Sequence, residues 1–301
     1  MSNLLARSVV WSTTLTGAPG TSRGGRHAGE GGGWGPVRPV ASDSVTAPIL
    51  PGAEPWSATG GAHGVLVLHG FTGNPQSMRP LAEACAKAGF TVELPLLPGH
   101  GTSVEDMLPT RWEDWSGAAE SEYRSLAARC AKVVVTGLSM GGTLTCWLAE
   151  RHPEIAGIAL VNPLIQTPDD EVRQGLAALV EAGTEVLDAI GSDIKKEGTV
   201  EAAYPATPVS ALLSLLDGAD HTRAGLGEIG CPTLLLSSRE DHVVEPVSGE
   251  VVAASVGGPL ERVHLENSYH VATLDWDAAL VETSIVDFAV EVMGGSGPAA
   301  G

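Results

Sequence analysis

A serine at position 139 stands among glycines in the sequence Gly137-Leu-Ser139-Met-Gly141, directly after the apolar run 133–135. A run of this kind predicts a buried strand, and we predict a helix over 140–151. A Gly-x-Ser-x-Gly sequence between a strand and a helix is typical of a nucleophile elbow, a strained turn that exposes the serine hydroxyl at the end of a sheet. The spacing therefore predicts a nucleophilic serine, with an ordinary tight turn as the alternative.

A serine hydroxyl becomes a good nucleophile when a base takes its proton and an acid orients that base. With a nucleophile elbow the chain order is serine, acid and histidine. Asp241 follows a predicted strand at 233–236, and His270 follows another at 262–265. We therefore predict that Ser139, Asp241 and His270 form a catalytic triad.

Other ionisable residues near these positions are weaker candidates. Glu240 adjoins Asp241 and is the alternative acid. His242 lies too close to the acid to serve as its base, and His264 falls inside a predicted strand. We expect Asp275 to cap the last helix and to take no part in catalysis.

The oxyanion of an ester intermediate needs two main-chain N–H donors. One is predicted to be the N–H of the residue after the nucleophile, Met140. The other is predicted in the loop HGFTG, which follows the apolar run 65–68, with the N–H of Phe71 pointing into the site. The side chains of His69 and His100 are predicted to brace loops through hydrogen bonds and not to act as catalysts.

Strands and helices alternate along the chain after residue 65, which predicts an α/β fold with a doubly wound, mostly parallel sheet. The predicted strands are 65–68, 91–94, 133–135, 158–161, 233–236 and 262–265. Helices are predicted after an N-cap at Asn74, over 112–129 and 140–151, and on the apolar stripe of the last segment.

The alternation breaks between about 163 and 225, where helical segments at about 170–190 and 208–217 are separated by Gly and Pro. This segment has the size of an inserted helical cap over one edge of the sheet. Its apolar residues either line a pocket or pack against the sheet: Leu176, Leu179, Val180, Val186, Leu187 and Ile190.

The first residues differ in composition from the rest. Residues 17–36 are Gly-rich and lack periodicity, so they cannot bury enough apolar area to offset the entropy of ordering. We therefore predict a disordered tail over 1–45 and a folded domain over 46–301.

Composition excludes several classes of function. The chain has 301 residues, with 36 acidic and 17 basic side chains and a net charge of −19, which argues against nucleic acid as a partner. Four widely spaced cysteines predict unpaired thiols in a reducing compartment and no metal site. No apolar run approaches the ~20 residues that span a bilayer, and 1–16 make a poor secretory signal. We predict a cytoplasmic monomer or homodimer without stable membrane insertion.

Five motifs together resemble the α/β-hydrolases of the bacterial carboxylesterase and monoacylglycerol lipase type. The motifs are LHGFTGNP, PLLPGHGTS, GLSMGG, SREDHVVEP and SYHVATLD. The resemblance runs in order from about Val65 to Met293 and is weakest in the inserted segment. It implies the α/β-hydrolase fold, and it assigns the triad and the oxyanion donors to the same residues as above.

The resemblance also implies an activity. Such enzymes hydrolyse short- to medium-chain acyl esters, including monoacylglycerols, through an acyl-enzyme and without a cofactor or metal, so the implied partner is a small-molecule ester. Glu201 falls near the position at which related monoacylglycerol lipases present a carboxylate, counted back from the Asp241 loop. It is the candidate for binding a glycerol headgroup, with a solvated charge at a helix end as the alternative.

Two classes of function stay open beside ester hydrolysis. The same triad would serve a thioesterase, an acyltransferase or a carbon–carbon hydrolase, and the fold does not choose among them. A ligand-binding receptor on a hydrolase scaffold is the other alternative.

Overall fold

A computed structural model describes residues 47–189 and 191–294. The tail predicted over 1–45 lies outside the described residues, and so does Ile190 of the inserted segment. Nine strands are described: β1 (Trp56–Ala58), β2 (His63–Leu68), β3 (Thr91–Leu94), β4 (Lys132–Leu138), β5 (Gly157–Val161), β6 (Val186–Asp188), β7 (Ala206–Pro208), β8 (Thr233–Ser238) and β9 (Leu260–Leu265).

The helices of the described part flank the strands in sequence. They are α1 (Arg79–Lys87), α2 (Val104–Met107), α3 (Trp112–Ala127), α4 (Met140–Arg151), α5 (Asp170–Glu181), α6 (Val209–Gly225), α7 (Val247–Ser255) and α8 (Ala278–Met293). Two 3₁₀ turns, Pro75–Ser77 and Leu226–Glu228, complete the set. No helix within these residues is both long and apolar enough to cross a membrane.

Seven strands form the main sheet in the order β1-β3-β2-β4-β5-β8-β9. All neighbouring pairs are parallel except β1 and β3, which are antiparallel at one edge. Parallel strands bring their carboxyl ends to one edge of the sheet, which is where ligands bind in open α/β sheets. The loops that carry the predicted site residues follow β2, β4, β8 and β9, so they all meet at this edge.

Apolar side chains cover both faces of the sheet, as β2 illustrates. Leu66 and Leu68 pack in a buried cluster with α3, α4 and α6, whereas Val65 and Val67 pack in a second cluster with α1 and α8. A strand that is buried on both faces must be apolar throughout, which explains the continuous apolar runs in the sequence. The predicted doubly wound, mostly parallel sheet is therefore confirmed.

The segment between β5 and β8 differs in part from the prediction. The helix predicted over 170–190 ends at Glu181, and β6 then pairs with β7 in an antiparallel hairpin. The turn after the helix contains Gly183 with φ of 87°, a left-handed conformation that ends a helix readily. The second predicted helix, 208–217, is present and continues to Gly225.

Short elements were missed or placed differently by the sequence analysis. Asn74 caps the 3₁₀ turn Pro75–Ser77, because its side chain accepts from the N–H of Gln76, and α1 begins only at Arg79. The strand β1 and the helices α2 and α7 were not predicted. The first two have three and four residues, too few for a periodic pattern to show.

Candidate active site

Ser139 lies between β4 and α4 at the carboxyl edge of the sheet. Its backbone has φ of 55° and ψ of −116°, a conformation that residues with a side chain rarely adopt. Its N–H donates to Val161 O at 3.0 Å, and its carbonyl accepts from the N–H groups of Thr143 and Leu164. The predicted strained turn is confirmed, and these hydrogen bonds hold it in place.

The flanking glycines are required by close backbone contacts. A Cβ on Gly137 would lie 2.2 Å from backbone atoms of Gly141, and a Cβ on Gly141 would lie 2.2 Å from Leu68 O. Neither glycine has a positive φ, so the reason for them is space and not their own dihedral freedom. Because neither residue has a side chain, α4 can start directly against the ends of β2 and β4.

Asp241 and His270 lie in the loops after β8 and β9, which are neighbours in the sheet. Asp241 Oδ2 is 2.7 Å from His270 Nδ1, and both side chains are buried. The other carboxylate oxygen accepts from the N–H groups of Val243 and Val244, at 2.9 and 2.8 Å. Because a carboxylate only accepts, the proton lies on Nδ1 and leaves Nε2 of the imidazole able to take one.

The surroundings of His270 favour its protonated form. Burial alone would lower the pKa of His270, but the Asp241 carboxylate, with smaller contributions from Glu201 and Asp193, raises it above its ordinary value. Ser139 and His270 line the same cavity. The structure thus brings the three predicted triad residues to one site.

The predicted oxyanion donors lie on two sides of the serine. Met140 follows it at the first position of α4, and Phe71 lies in the loop after β2. That loop touches the nucleophile, since a Cβ on Gly70 would lie 3.5 Å from Ser139 Cβ. In the part of the chain that the structure describes, neither N–H donates to a protein acceptor. Phe71 also lines the cavity that Ser139 lines, whereas the role of the two N–H groups as oxyanion donors stays a prediction.

His69 and His100 form hydrogen bonds to loop backbone, as predicted. His69 Nε2 accepts from the N–H of Leu97 at 3.1 Å, and its Nδ1 lies 3.0 Å from Gly70 O. Burial lowers the pKa of His69 to about 4, so the ring is neutral at pH 7. His100 Nδ1 lies 3.0 Å from Pro98 O, and burial, with His69 nearby, lowers its pKa as well.

None of the alternative candidates lines the cavity that Ser139 lines. Glu240, the alternative acid, is exposed and forms an ion pair with Lys195 at 3.2 Å. His242 is also exposed, and its Nδ1 lies 2.8 Å from Asp193 Oδ1. His264 is part of β9, as expected from its position in a predicted strand.

The expectation for Asp275 was wrong. The last helix has Asp277 as its N-cap, and Asp275 is instead a buried acceptor for main-chain N–H groups. Its carboxylate accepts from the N–H groups of Lys195, Lys196, Tyr269 and Trp276. It therefore fastens the inserted segment to the loop of His270, a contact between distant parts of the chain that local spacing does not reveal.

Sequence analysis also missed Asn162, the residue directly after β5. It has a positive φ of 43° and is buried. Its side-chain oxygen accepts from the N–H of Ser238 at 2.8 Å, and its amide nitrogen donates to His270 O at 2.8 Å. The signal in the sequence was a polar residue at the end of a buried strand, at the edge where the other site residues lie.

Glu201 enters the same cavity from the inserted segment. Its carboxylate lies over the loop after β2, since a Cβ on Gly73 would be 2.8 Å from Glu201 Oε1. Burial raises the pKa of Glu201, and the nearby His270 and Ser77 oppose this effect. The carboxylate is thus half-buried at the cavity and interacts with the imidazole, and it does not lie at a helix end.

The cavity has a volume of about 180 Å³ and is mostly apolar. Of the inserted residues that were candidates for lining it, Leu176 and Leu187 do so, whereas Val186 is exposed and Val180 packs with the core. Its lining also includes polar side chains, with Glu201 and Tyr204 among them. Across 47–189 and 191–294, no group of three or more His, Cys, Asp or Glu is arranged to hold a metal ion.

Comparison with known proteins identifies the family. Residues 65–283 match the profile of the alpha/beta hydrolase family. The chain belongs to this family. The thermostable monoacylglycerol lipase of Bacillus sp. (strain H-257) is 49% identical over 245 residues, which cover 80% of this chain and 96% of that protein. The carboxylesterase of Bacillus subtilis (strain 168) is 27% identical over 237 residues, covering 78% and 95%.

A solved structure agrees with these relatives. It belongs to a study of LipS and LipT, two metagenome-derived lipolytic enzymes, and it is 45% identical, with a TM-score of 0.77. The match covers 81% of this α/β hydrolase and all of that chain. These findings confirm the predicted fold and the predicted enzyme class, a hydrolase of carboxylic esters.

Proposed function

We propose that this protein hydrolyses monoacylglycerols of short- and medium-chain fatty acids, with Ser139, Asp241 and His270 as its catalytic triad. The observation that carries the proposal is that the strained serine and the paired imidazole line one mostly apolar cavity, which the half-buried Glu201 also lines. The 49% identity to a monoacylglycerol lipase supports the substrate class.

Acylation begins at the serine hydroxyl. His270 Nε2 takes the proton of Ser139 as its Oγ attacks the ester carbonyl. Asp241 keeps the proton of the imidazole on Nδ1 and stabilises the imidazolium that forms. The raised pKa of His270 fits a base that must hold this proton through the tetrahedral intermediate.

The oxyanion and the leaving group are handled by different residues. The N–H groups of Phe71 and Met140 stabilise the oxyanion, and loss of one such donor costs about 10²–10³ in rate. His270 then protonates the departing alcohol, and a water molecule activated by the same imidazole releases the fatty acid. Neither step requires a cofactor.

The lining of the cavity suggests how a monoacylglycerol is oriented. The acyl chain lies along the apolar side chains, among them Leu176, Leu187 and Leu216. The glycerol lies toward Glu201, whose half-buried carboxylate accepts a hydrogen bond from a glycerol hydroxyl. A desolvated acceptor of this kind discriminates strongly against alcohols that lack the matching donor.

The inserted segment serves as a cap in this proposal, because α5, β6 and α6 all contribute to the lining of the cavity. We further propose that the protein acts in the cytoplasm as a monomer or homodimer. Four unpaired cysteines support a reducing compartment.

The substrate assignment is tested with Glu201→Gln, which keeps the shape of the side chain. We expect it to raise KM for 1-monolauroylglycerol at least about tenfold, since a carboxylate acceptor bonds more strongly than an amide. KM for p-nitrophenyl butyrate, which has no glycerol, should stay within about twofold. Equal effects on both substrates would contradict the glycerol assignment. The exposed Glu197→Gln, in the same inserted segment, is the control.

A further inference from the structure

Asp193, in the inserted segment, contacts both catalytic loops. Its Oδ2 accepts from the main-chain N–H groups of His270 and His242, both at 3.1 Å. Its Oδ1 lies 2.8 Å from His242 Nδ1. The side chain is 10% exposed, so these bonds form where water competes poorly.

The two partners of this carboxylate belong to the two loops that matter for catalysis. His270 is the proposed base, and His242 directly follows the proposed acid, Asp241. We propose that Asp193 is a positioning residue, which holds the loop of the base against the loop of the acid and so fixes the Asp241–His270 pair. This inference rests on the triad of the proposed function.

Further contacts hold Asp193 itself in place. Its carbonyl accepts from the N–H of Val271 at 3.1 Å. Two residues after Asp193, the N–H groups of Lys195 and Lys196 donate to the buried carboxylate of Asp275, at 2.7 and 2.9 Å. The same carboxylate accepts from the N–H of Tyr269 at 2.9 Å. The segment is thus fastened on both sides of the base, and Asp193 acts from a fixed backbone.

Asp193 also acts on the charge of the base. The carboxylates that face His270 come from three parts of the chain: Asp241 after β8, Glu201 in the inserted segment and Asp193 itself. Each of them raises the pKa of His270. Removal of the Asp193 charge therefore lowers the pKa of the imidazole, so that the base stays unprotonated to a lower pH.

Two substitutions separate the hydrogen bonds from the charge. Asp193→Ala removes both, and we expect a loss of about 100-fold in kcat/KM for p-nitrophenyl butyrate, the size that follows a small misplacement of a catalytic group. Asp193→Asn keeps an oxygen that accepts from the two main-chain N–H groups. The asparagine variant should therefore keep most of the wild-type kcat/KM. The acidic limb of its pH profile should move to lower pH. Glu197→Gln, a charge change at an exposed position of the same segment, should leave both quantities unchanged.

The role of Asp193 and the triad are tested by different outcomes. The inference is overturned by an alanine variant with wild-type kcat/KM, or by an asparagine variant whose pH profile does not move. If the alanine variant shows no cooperative thermal transition, the asparagine variant decides alone by its pH profile. Turnover that persists in Ser139→Ala would refute the triad itself, whereas an inactive Ser139→Ala beside a fully active Asp193→Ala would refute only the role of Asp193.

Discussion

Replacement of Asp241 by Asn should abolish most activity through the tautomer of the base. In the structure, one carboxylate oxygen of Asp241 accepts from the N–H groups of Val243 and Val244, and the other faces His270 Nδ1. An asparagine has only one acceptor oxygen, and the two N–H groups require it on their side. Its NH₂ group is then directed at Nδ1.

The imidazole must respond by moving its proton. Facing an NH₂ donor, Nδ1 of His270 has to accept, and the proton is then on Nε2, the atom that would otherwise take the proton of Ser139. A base in the wrong tautomer costs about 10⁴ in kcat in the serine triad template, which corresponds to about 5.4 kcal/mol of transition-state stabilisation. KM should change little, because Asp241 does not line the cavity.

Steady-state hydrolysis of p-nitrophenyl butyrate at pH 8 measures the effect, with thermal melting as a check that the variant folds. The matched control is Glu240→Gln, which removes the neighbouring exposed carboxylate and its ion pair with Lys195. We expect the control to keep kcat within about threefold, since exposed ion pairs contribute little. A loss below about tenfold in Asp241→Asn, or a larger loss in Glu240→Gln, would refute the reasoning and favour Glu240 as the acid.

Two further predictions concern stability, each measured by urea unfolding. Burial raises the pKa of Glu150 from 4.5 to about 7, with Arg151 opposing, so its contribution to stability is lost as the pH rises through this range. Glu150→Gln should raise the free energy of unfolding by about 1 to 2 kcal/mol at pH 8 and little at pH 5; equal effects at both pH values would contradict this. Gly141→Ala should cost about 3 kcal/mol because its Cβ would meet Leu68 O, whereas Gly117→Ala in α3, with open space around it, should be neutral or stabilising. Similar values for the two alanines would contradict the packing argument.

The sequence was informative where structure is local. Buried parallel strands are continuous apolar runs, so β3 was predicted at its observed bounds and β4 was identified by its centre. The strained turn at Ser139 could be predicted because its glycines and its hydroxyl are adjacent in the chain. The loops of Asp241 and His270 could be predicted because each directly follows a strand of the same sheet.

Local patterns failed where a residue acts across the fold. Asp193 is 77 residues from His270, and Asn162 is 108 residues from it. No spacing rule links such positions. The prediction for Asp275 was wrong for the same reason, because its partners Lys195 and Lys196 lie in the inserted segment. The hairpin of β6 and β7 was missed because its strands have three residues each.

If one activated serine carries the chemistry, covalent labelling should identify it. The protein is incubated with a fluorophosphonate, digested, and the modified peptide is identified by mass spectrometry. We expect one label per chain, on Ser139, with simultaneous loss of esterase activity and no label in Ser139→Ala. Labelling of another residue, or full activity after Ser139 is modified, would contradict it.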